Sequence, residues 1–222
     1  MSALRLLETM RAEHGRVALL DRHLARLASS AAAFGYPLDA GAVRQRLAAA
    51  LGEGAEGVRV TLGEGGDLDV HTWALAARPF RTVAVHPEPM PEAGGPLCAH
   101  KTTDRDHYER RFVWAQSVGA DEALVLNPVG EVMEGTRTSV WLVRDGALVT
   151  PPLASGGLAG VMRAHLLAVT DAVERVVLPG DLTDADALYL SNALRGWMPV
   201  ALVHPGPPTR DSGRTRTLLP DP

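Results

Sequence analysis

The chain has 222 residues, of which 46% are hydrophobic and 22% are charged, a composition typical of globular proteins rather than of disordered, collagen-like or coiled-coil chains. Its 22 basic and 26 acidic residues give a net charge of −4 and are spread without long blocks of one sign. This pattern argues against nucleic acid or an anionic membrane surface as a partner, and it favours a small-molecule ligand.

The first part of the chain combines helical and strand-like patterns. Hydrophobic spacing predicts helices at about 22–34 and 40–51, and strands at 58–62, 68–75 and 82–86. Asp21 is the predicted N-cap of the first helix and Gly35 its end, while Asp39 is predicted to precede the second helix. We therefore expect residues 1–90 to form a small α/β domain.

A proline-rich connection follows this region. Residues 86–96, HPEPMPEAGGP, hold four prolines and two glycines, which disfavour helix and sheet, and we place a linker at 91–96. Beyond it, the pattern predicts a helix to about 118 capped by Thr103 with Asp106, and a helix at 160–173. Strands are predicted at 122–126, 131–134, 139–143, 147–150, 176–178, 188–190 and 199–203. Residues 97–203 are expected to form a larger domain, and 204–222 a tail.

Several functional signatures are missing from the sequence. Glycine loops of nucleotide folds and the nucleophile elbow of hydrolases do not occur. Cys98 is the single cysteine, which excludes an internal disulfide, and the eight histidines show no zinc-binding spacing, so we expect no metal. The chain shows no signal-peptide pattern and no apolar run of membrane-spanning length, and we expect a cytoplasmic protein.

Three features indicate a site for a phosphorylated cofactor. Lys101 follows the linker and precedes a helix, where its side chain could enter a cleft. Glu134 ends a predicted strand and could pair with a protonated ring nitrogen. The glycine-rich loop 156–163 runs into a helix, a favourable place for phosphate, and Arg26 could add a charged fork. Each feature alone could equally be a surface or turn residue, but together they form the parts of a pyridoxal-phosphate site.

Longer segments carry a family resemblance. The segment DRHLARL at 21–27 is similar to an H-x-x-R-L motif, GADEALVLN at 119–127 followed by EGT at 134–136 to a central signature, and GVMR at 160–163 to a phosphate-binding turn. Over nearly the whole chain, from Leu7 to Val200, these motifs resemble the class IV, or fold-type IV, pyridoxal-phosphate enzymes.

The resemblance implies a two-domain α+β fold, with a small N-terminal α/β domain and a larger C-terminal domain built on a mixed, pseudo-barrel sheet. It implies pyridoxal 5'-phosphate as cofactor, Lys101 as the Schiff-base lysine and acid/base, and Glu134 as the ring-nitrogen partner. The other implied cofactor-binding residues are Arg26, Thr138, Gly160, Val161, Met162 and Asn192. Arg11 and Arg195 are candidates for binding substrate, and many relatives carry threonine in place of Met162. The acid/base role requires a lowered pKa at Lys101, to which we expect partial burial to contribute.

Within the family, KTT at 101–103 and NALRGWMP at 192–199 are most similar to the aminodeoxychorismate lyases. That similarity implies β-elimination of 4-amino-4-deoxychorismate to 4-aminobenzoate and pyruvate, a step in folate precursor synthesis. It also implies a homodimer and leaves open a functional pairing with aminodeoxychorismate synthase. Two alternatives stay open: an aminotransferase for branched-chain or D-amino acids with the same site residues, and a non-catalytic cofactor-binding or scaffolding homologue.

Overall fold

The computed structural model describes residues 4–54, 56–75, 78–91 and 95–204. These residues form a four-stranded sheet and an eight-stranded sheet, with helices packed on both. The strands are β1 (Leu6–Glu13), β2 (Arg16–Val17), β3 (Glu56–Leu62), β4 (Leu68–Ala74), β5 (Thr82–Val85), β6 (Glu122–Leu126), β7 (Val132–Gly135), β8 (Ser139–Arg144), β9 (Ala147–Thr150), β10 (Val173–Glu174), β11 (Ala187–Asn192) and β12 (Gly196–Leu202). The helices are α1 (Leu20–Phe34), α2 (Ala40–Ala50), α3 (Pro96–Ala99), α4 (Asp106–Ser117), α5 (Val161–Val169) and α6 (Pro179–Thr183), with a 3-10 turn at Leu153–Ser155. No helix in these ranges is long and apolar enough to cross a membrane.

The smaller sheet is antiparallel, with the strand order β2-β1-β3-β4. Helices α1 and α2 and the β3–β4 hairpin confirm the predicted elements, and the Asp39 carboxylate caps α2 by accepting from two backbone N–H groups. The predicted N-cap of α1 is wrong: the helix begins at Leu20, after Leu19 in a left-handed conformation. Asp21 lies instead in the first turn, where its negative charge still stabilises the helix dipole. Gly35 ends α1 with φ 70°.

Strand β1 has no counterpart in the sequence prediction. Its inward positions are Leu6, Glu8, Met10 and Ala12, and each is at most 2% exposed. A carboxylate at one of these positions breaks the alternation of apolar and polar residues that predicts a strand. Glu8 is tolerated there because two basic side chains pair with it.

The larger sheet has the strand order β10-β9-β8-β11-β12-β5-β6-β7. It is mixed, because β5 pairs in parallel with β6 and β12, and β9 with β10, whereas its other pairs are antiparallel. Its core includes Leu124, Val140, Leu142, Leu190 and Met198. The predicted combination of a smaller sheet and a curled, mixed larger sheet is confirmed.

The two sheets separate earlier in the chain than the predicted linker. Strand β5 lies within the predicted small domain, residues 1–90, but it belongs to the larger sheet. We propose that the domain boundary falls between β4 and β5, and the other predicted bounds stay predictions. Residues 92–94 of the predicted linker and 205–222 of the predicted tail lie outside the described residues.

Three further predictions about local structure are wrong. Helix α4 begins at Asp106 without a side-chain cap, because the Thr103 hydroxyl accepts a hydrogen bond from the backbone N–H of Arg5 instead (3.0 Å). Helix α5 ends at Val169 rather than near 173, and the strand expected at 176–178 lies at 173–174. Those two residues pair with β9, which fixes the position of β10.

Candidate active site

A cavity of about 580 Å³ lies between the two sheets. It is lined from the smaller sheet by residues of β1, β3 and β4, and from the larger sheet by residues of β7, β8 and β11. The predicted site residues that line it are Arg26, Lys101, Glu134, Thr138, Gly160, Val161, Met162, Asn192 and Arg195. Arg11 is not among the lining residues, and its guanidinium pairs with Glu13 on the same strand.

The backbone holds Lys101 at the junction of the two sheets. The N–H of Leu7 donates to the carbonyl of Lys101, and the N–H of Thr103 donates to the carbonyl of Arg5, both at 2.9 Å. The segment that carries Lys101 therefore pairs with the start of β1 and cannot shift without disturbing the smaller sheet.

The side chain of Lys101 is partly buried in the cavity wall. Burial lowers its pKa from 10.5 to about 7, and the positive charges of Arg105 and Arg26 contribute to the shift. An amine with such a pKa can accept and return a proton near neutral pH.

Lys101 is also the only lysine in the chain, since the other 21 of the 22 basic residues are arginines. A lone lysine in such a composition is a sequence signal that motif and spacing arguments overlook. Every other basic position of the chain carries arginine, so the lysine at position 101 stands apart from an ordinary surface residue.

Glu134 lies at the end of β7 and is 8% exposed. Its carboxylate accepts a hydrogen bond from the Tyr108 hydroxyl at 2.7 Å and another from the backbone N–H of Leu158 at 3.1 Å. Burial raises the pKa of Glu134, and these hydrogen bonds oppose the rise. The carboxylate is thus held in place by two donors and can receive a positively charged group. Sequence reasoning missed Tyr108, whose role depends on a contact between distant segments.

The turn after Glu134 is fixed by a second buried carboxylate, Glu122 of β6. Its oxygens accept from the backbone N–H groups of Thr136 (3.1 Å) and Arg137 (3.0 Å) and from the Thr138 hydroxyl (3.3 Å). Burial raises the pKa of Glu122, and the hydrogen bonds counteract that effect. Glu122 therefore positions Thr138 in the cavity wall, a function that the sequence did not reveal.

The start of α5 offers free hydrogen-bond donors to the cavity. Gly160 precedes the helix, no side chain caps it, and no acceptor among the described residues binds the N–H groups of Val161 and Met162. Unpaired N–H groups and the helix dipole together favour an anion here. Gly160 lets the backbone at the start of α5 pack closely against Ser139, since a Cβ at position 160 would lie 2.8 Å from the Ser139 hydroxyl oxygen.

Arg26 reaches this anion site from α1. Its Nε and Nη2 donate to Glu8 at 2.8 and 2.6 Å, and its Nη1 donates to the carbonyl of Ala159 at 3.1 Å. The buried His23 also contacts Glu8, at 2.7 Å. Burial opposes ionisation of Glu8, but Arg26 and His23 outweigh it and keep its pKa below the ordinary value. Glu8 and His23, which sequence reasoning missed, thus hold Arg26 beside the start of α5.

Asn192 shapes the turn between β11 and β12. Its side-chain oxygen accepts from the N–H groups of Leu194 (3.1 Å) and Arg195 (2.7 Å), and its amide donates to the carbonyl of Arg137 (3.1 Å). These bonds position Arg195 at the cavity. Asn192 therefore holds this turn in place through hydrogen bonds to neighbouring residues.

Three arginines line the cavity that sequence reasoning missed: Arg59, Arg105 and Arg137. Arg59 lies on an exposed position of β3 and forms no ion pair within the described part of the chain. In the sequence such a residue is indistinguishable from the polar, solvent-facing half of a strand.

Residues 5–203 match the family described as amino-transferase class IV. The chain belongs to this family. The sequence resemblance is confirmed, and with it an enzyme of the pyridoxal-phosphate-dependent class, lyase or aminotransferase.

Known relatives carry both activities in their names. A putative aminodeoxychorismate lyase of Schizosaccharomyces pombe is 28% identical over 82% of each chain. A probable branched-chain-amino-acid aminotransferase of Thermotoga maritima is 34% identical over 36% of this chain, and this match spans only 31% of that protein.

Solved structures show the same fold. A putative amino-acid aminotransferase from Mesorhizobium loti is 35% identical, with a TM-score of 0.83, over 90% of this chain and 100% of that one. The 4-amino-4-deoxychorismate lyase from Pseudomonas aeruginosa is 31% identical, with a TM-score of 0.73, over 89% of this chain and 82% of that one.

Proposed function

We propose that this protein is a pyridoxal-phosphate-dependent aminodeoxychorismate lyase, which converts 4-amino-4-deoxychorismate to 4-aminobenzoate and pyruvate. The observation that carries the proposal is the single cavity that brings together Lys101, the buried Glu134 and the uncapped start of α5. A reactive amine, a carboxylate and an anion site are the three groups that this cofactor requires.

The cavity residues fit the cofactor. The free N–H groups of Val161 and Met162, with Arg26 beside them, would hold the phosphate. The Glu134 carboxylate would hold the ring nitrogen, and Lys101 would bind the aldehyde carbon. When bound, the cofactor withdraws electrons from the carbon next to the substrate nitrogen, which makes a proton on that carbon acidic.

Lys101 carries that proton in the proposed reaction. With its pKa lowered to about 7, the amine is partly neutral at physiological pH and removes the proton from the carbon that bears the amino group. The bond from the neighbouring ring carbon to the enolpyruvyl oxygen then breaks and the ring becomes aromatic. The enolate of pyruvate leaves and takes up one proton at its methylene carbon, which balances the proton that Lys101 removed. Pyruvate and 4-aminobenzoate together contain all the atoms of the substrate, so no other reactant is needed.

The comparisons name both activities, since the Mesorhizobium structure is named as a putative amino-acid aminotransferase, and two observations lead us to propose the lyase. The Schizosaccharomyces relative that covers 82% of each chain is named as a putative aminodeoxychorismate lyase, whereas the Thermotoga aminotransferase matches 36% of this chain. The segments KTT at 101–103 and NALRGWMP at 192–199 favour the same assignment. As part of the proposal, the enzyme acts as a homodimer and takes its substrate from a separate aminodeoxychorismate synthase.

Release of pyruvate from 4-amino-4-deoxychorismate tests the activity. We expect the cofactor-loaded protein to form pyruvate and 4-aminobenzoate in equal amounts, and Lys101→Ala to form neither. The aminotransferase would instead convert its bound cofactor to pyridoxamine phosphate when given leucine or D-alanine alone. That conversion, without pyruvate release from aminodeoxychorismate, would contradict the lyase assignment.

Cofactor attachment can be tested separately, because the chain has one lysine. Borohydride reduction of the loaded protein should add one cofactor mass to the intact parent chain and none to Lys101→Arg. Equal labelling of both proteins would place the attachment elsewhere. No visible change when either protein is titrated with pyridoxal phosphate would support the non-catalytic alternative.

A further inference from the structure

Several cations in the cavity lack carboxylates of their own. Arg26 and Arg163 are paired with acidic residues, but the remaining arginines of the cavity wall are Arg59, Arg105, Arg137 and Arg195. Arg105 and Arg137 share the single carboxylate of Glu109, at 3.8 and 2.7 Å. Within the described residues, neither Arg59 nor Arg195 forms an ion pair with a carboxylate, although the charge of Glu122 acts on Arg195. These four arginines therefore share one carboxylate within ion-pair distance, that of Glu109, although Asp106 and Glu134 also line the cavity.

Three of these arginines, Arg105, Arg137 and Arg195, are referred to here as the arginine cluster. Neutral aromatic rings support them: the guanidinium carbon of Arg137 lies 3.7 Å from the centre of the Phe112 ring, and that of Arg195 lies 4.7 Å from the centre of the Phe80 ring. Arg105 similarly lies over a tyrosine ring at 5.0 Å. Such contacts fix the direction of a guanidinium without cancelling its charge.

Backbone carbonyls complete this support. Arg105 donates to the carbonyl of Thr136, and Arg195 donates to the carbonyl of Arg78 at 3.3 Å. Burial, together with the charge of Arg137, lowers the pKa of Arg195, as expected for like charges held close together in a partly dry site. Like charges kept close together, with the Glu109 carboxylate shared by two of the three arginines, are stabilised when a further anion binds among them.

We propose that the arginine cluster binds the second carboxylate of a dianionic substrate. This inference rests on the proposed function and deepens it, because 4-amino-4-deoxychorismate carries one carboxylate on its ring and one on its enolpyruvyl group. Arg59, on the opposite wall from the smaller sheet, supplies a separate cation for the other carboxylate. A branched-chain amino acid has one carboxylate and an apolar side chain, and it would leave the cluster unpaired.

The test compares two simple anions on the cofactor-loaded protein. Isophthalate carries two carboxylates on a flat ring, and benzoate is the same ring with one. Isothermal titration calorimetry gives the dissociation constant of each for the parent, Arg137→Gln, Arg195→Gln and the control Arg46→Gln. Arg46 is exposed on α2 and does not line the cavity. Circular dichroism and the visible absorption of the bound cofactor show that each variant is folded and loaded.

We expect each cluster variant to weaken isophthalate binding about 10-fold or more, the usual effect of losing a hydrogen bond to a charged group. Benzoate binding should change by less than about 3-fold, since it still has Arg59 available. Arg46→Gln should change neither constant. Equal weakening of both anions by the cluster variants, or no isophthalate binding by the parent, would overturn the inference.

Pyruvate release separates this inference from the proposed function. If the parent releases no pyruvate but isophthalate binding depends on Arg137 and Arg195, the lyase assignment fails and the dianion site stands. If the parent is an active lyase and Arg195→Gln leaves both its KM and its affinity for isophthalate unchanged, the dianion site fails and the assignment stands.

Discussion

Replacing Tyr108 with phenylalanine should destabilise the apo protein, and more at pH 8 than at pH 5. The hydroxyl of Tyr108 donates to the Glu134 carboxylate at 2.7 Å, and the two residues are 7% and 8% exposed. Water cannot easily replace a donor lost from such a buried site. After the substitution, the backbone N–H of Leu158 is the remaining donor to Glu134 in the described structure.

The size of the effect depends on the charge of Glu134. A hydrogen bond to a neutral acceptor contributes about 0.5–1.5 kcal/mol and one to an ionised acceptor about 1.5–3 kcal/mol. Burial raises the pKa of Glu134 above its ordinary value of 4.5, so the folded protein holds this proton more tightly than the unfolded chain. Stability therefore falls as pH rises from 4.5 through the raised pKa. The variant, whose Glu134 is harder to ionise, should therefore lose less stability at pH 5 than at pH 8, and its loss at pH 8 should not exceed about 3 kcal/mol.

Urea unfolding of the apo proteins at the two pH values measures this difference. Tyr36→Phe is a matched control, because the Tyr36 hydroxyl donates to the carbonyl of Leu4 (3.0 Å) away from any carboxylate, and its loss should not depend on pH. An equal loss of stability for Tyr108→Phe at both pH values, or a larger loss at pH 5, would refute the reasoning.

Three other substitutions test the site. Lys101→Met should raise the stability of the apo protein by up to about 4 kcal/mol at pH 7. A lysine whose pKa falls from 10.5 to about 7 on folding destabilises the folded state at pH values below 10.5. Thermal unfolding should therefore show no gain at about pH 10.5, and a gain that is the same at every pH would contradict the burial of Lys101. Met162→Thr adds a hydroxyl at the start of α5 and should tighten pyridoxal-phosphate binding about 2–10-fold in absorbance titrations, so weaker binding would count against a phosphate there. Gly160→Ala places a Cβ 2.8 Å from the Ser139 hydroxyl oxygen and should weaken pyridoxal-phosphate binding about 10-fold or more. Gly180→Ala is the control, because position 180 has open space around it, and it should leave the affinity for the cofactor unchanged.

The sequence predicted the elements whose signals are local. Gly35 and Asp39 act within a few residues of their own positions, as a helix end and a helix cap, so their chemistry is visible in a short window. Strand β1 was not predictable in this way, because its buried Glu8 is compensated by residues of α1 that lie 15 and 18 positions away. A short stretch of sequence shows that Glu8 is charged, but it does not show which residues pair with it.

The site was predictable to the same extent. Motifs pointed to Lys101 and Glu134, which lie in the cavity, but not to Tyr108 or Glu122, whose roles arise from contacts with the segment at 134–138. Arg195 was a candidate by position alone. Its relation to Arg137 depends on how the turn at 192–196 meets the segment between β7 and β8, which is a property of the folded sheet.

Because β1 pairs with the segment that carries Lys101, the position of the reactive amine depends on the stability of the smaller sheet. Leu7 and Arg5 form backbone hydrogen bonds with Lys101 and Thr103. Local unfolding of the smaller sheet would therefore release Lys101, even while Glu134 stays in the larger sheet and α5 stays packed on it. Hydrogen exchange at the Leu7 amide therefore reports how often the reactive amine leaves its place. The smaller sheet thus holds the reactive lysine in place. The free energy of local unfolding of this sheet sets an upper limit on the fraction of time for which the site is assembled.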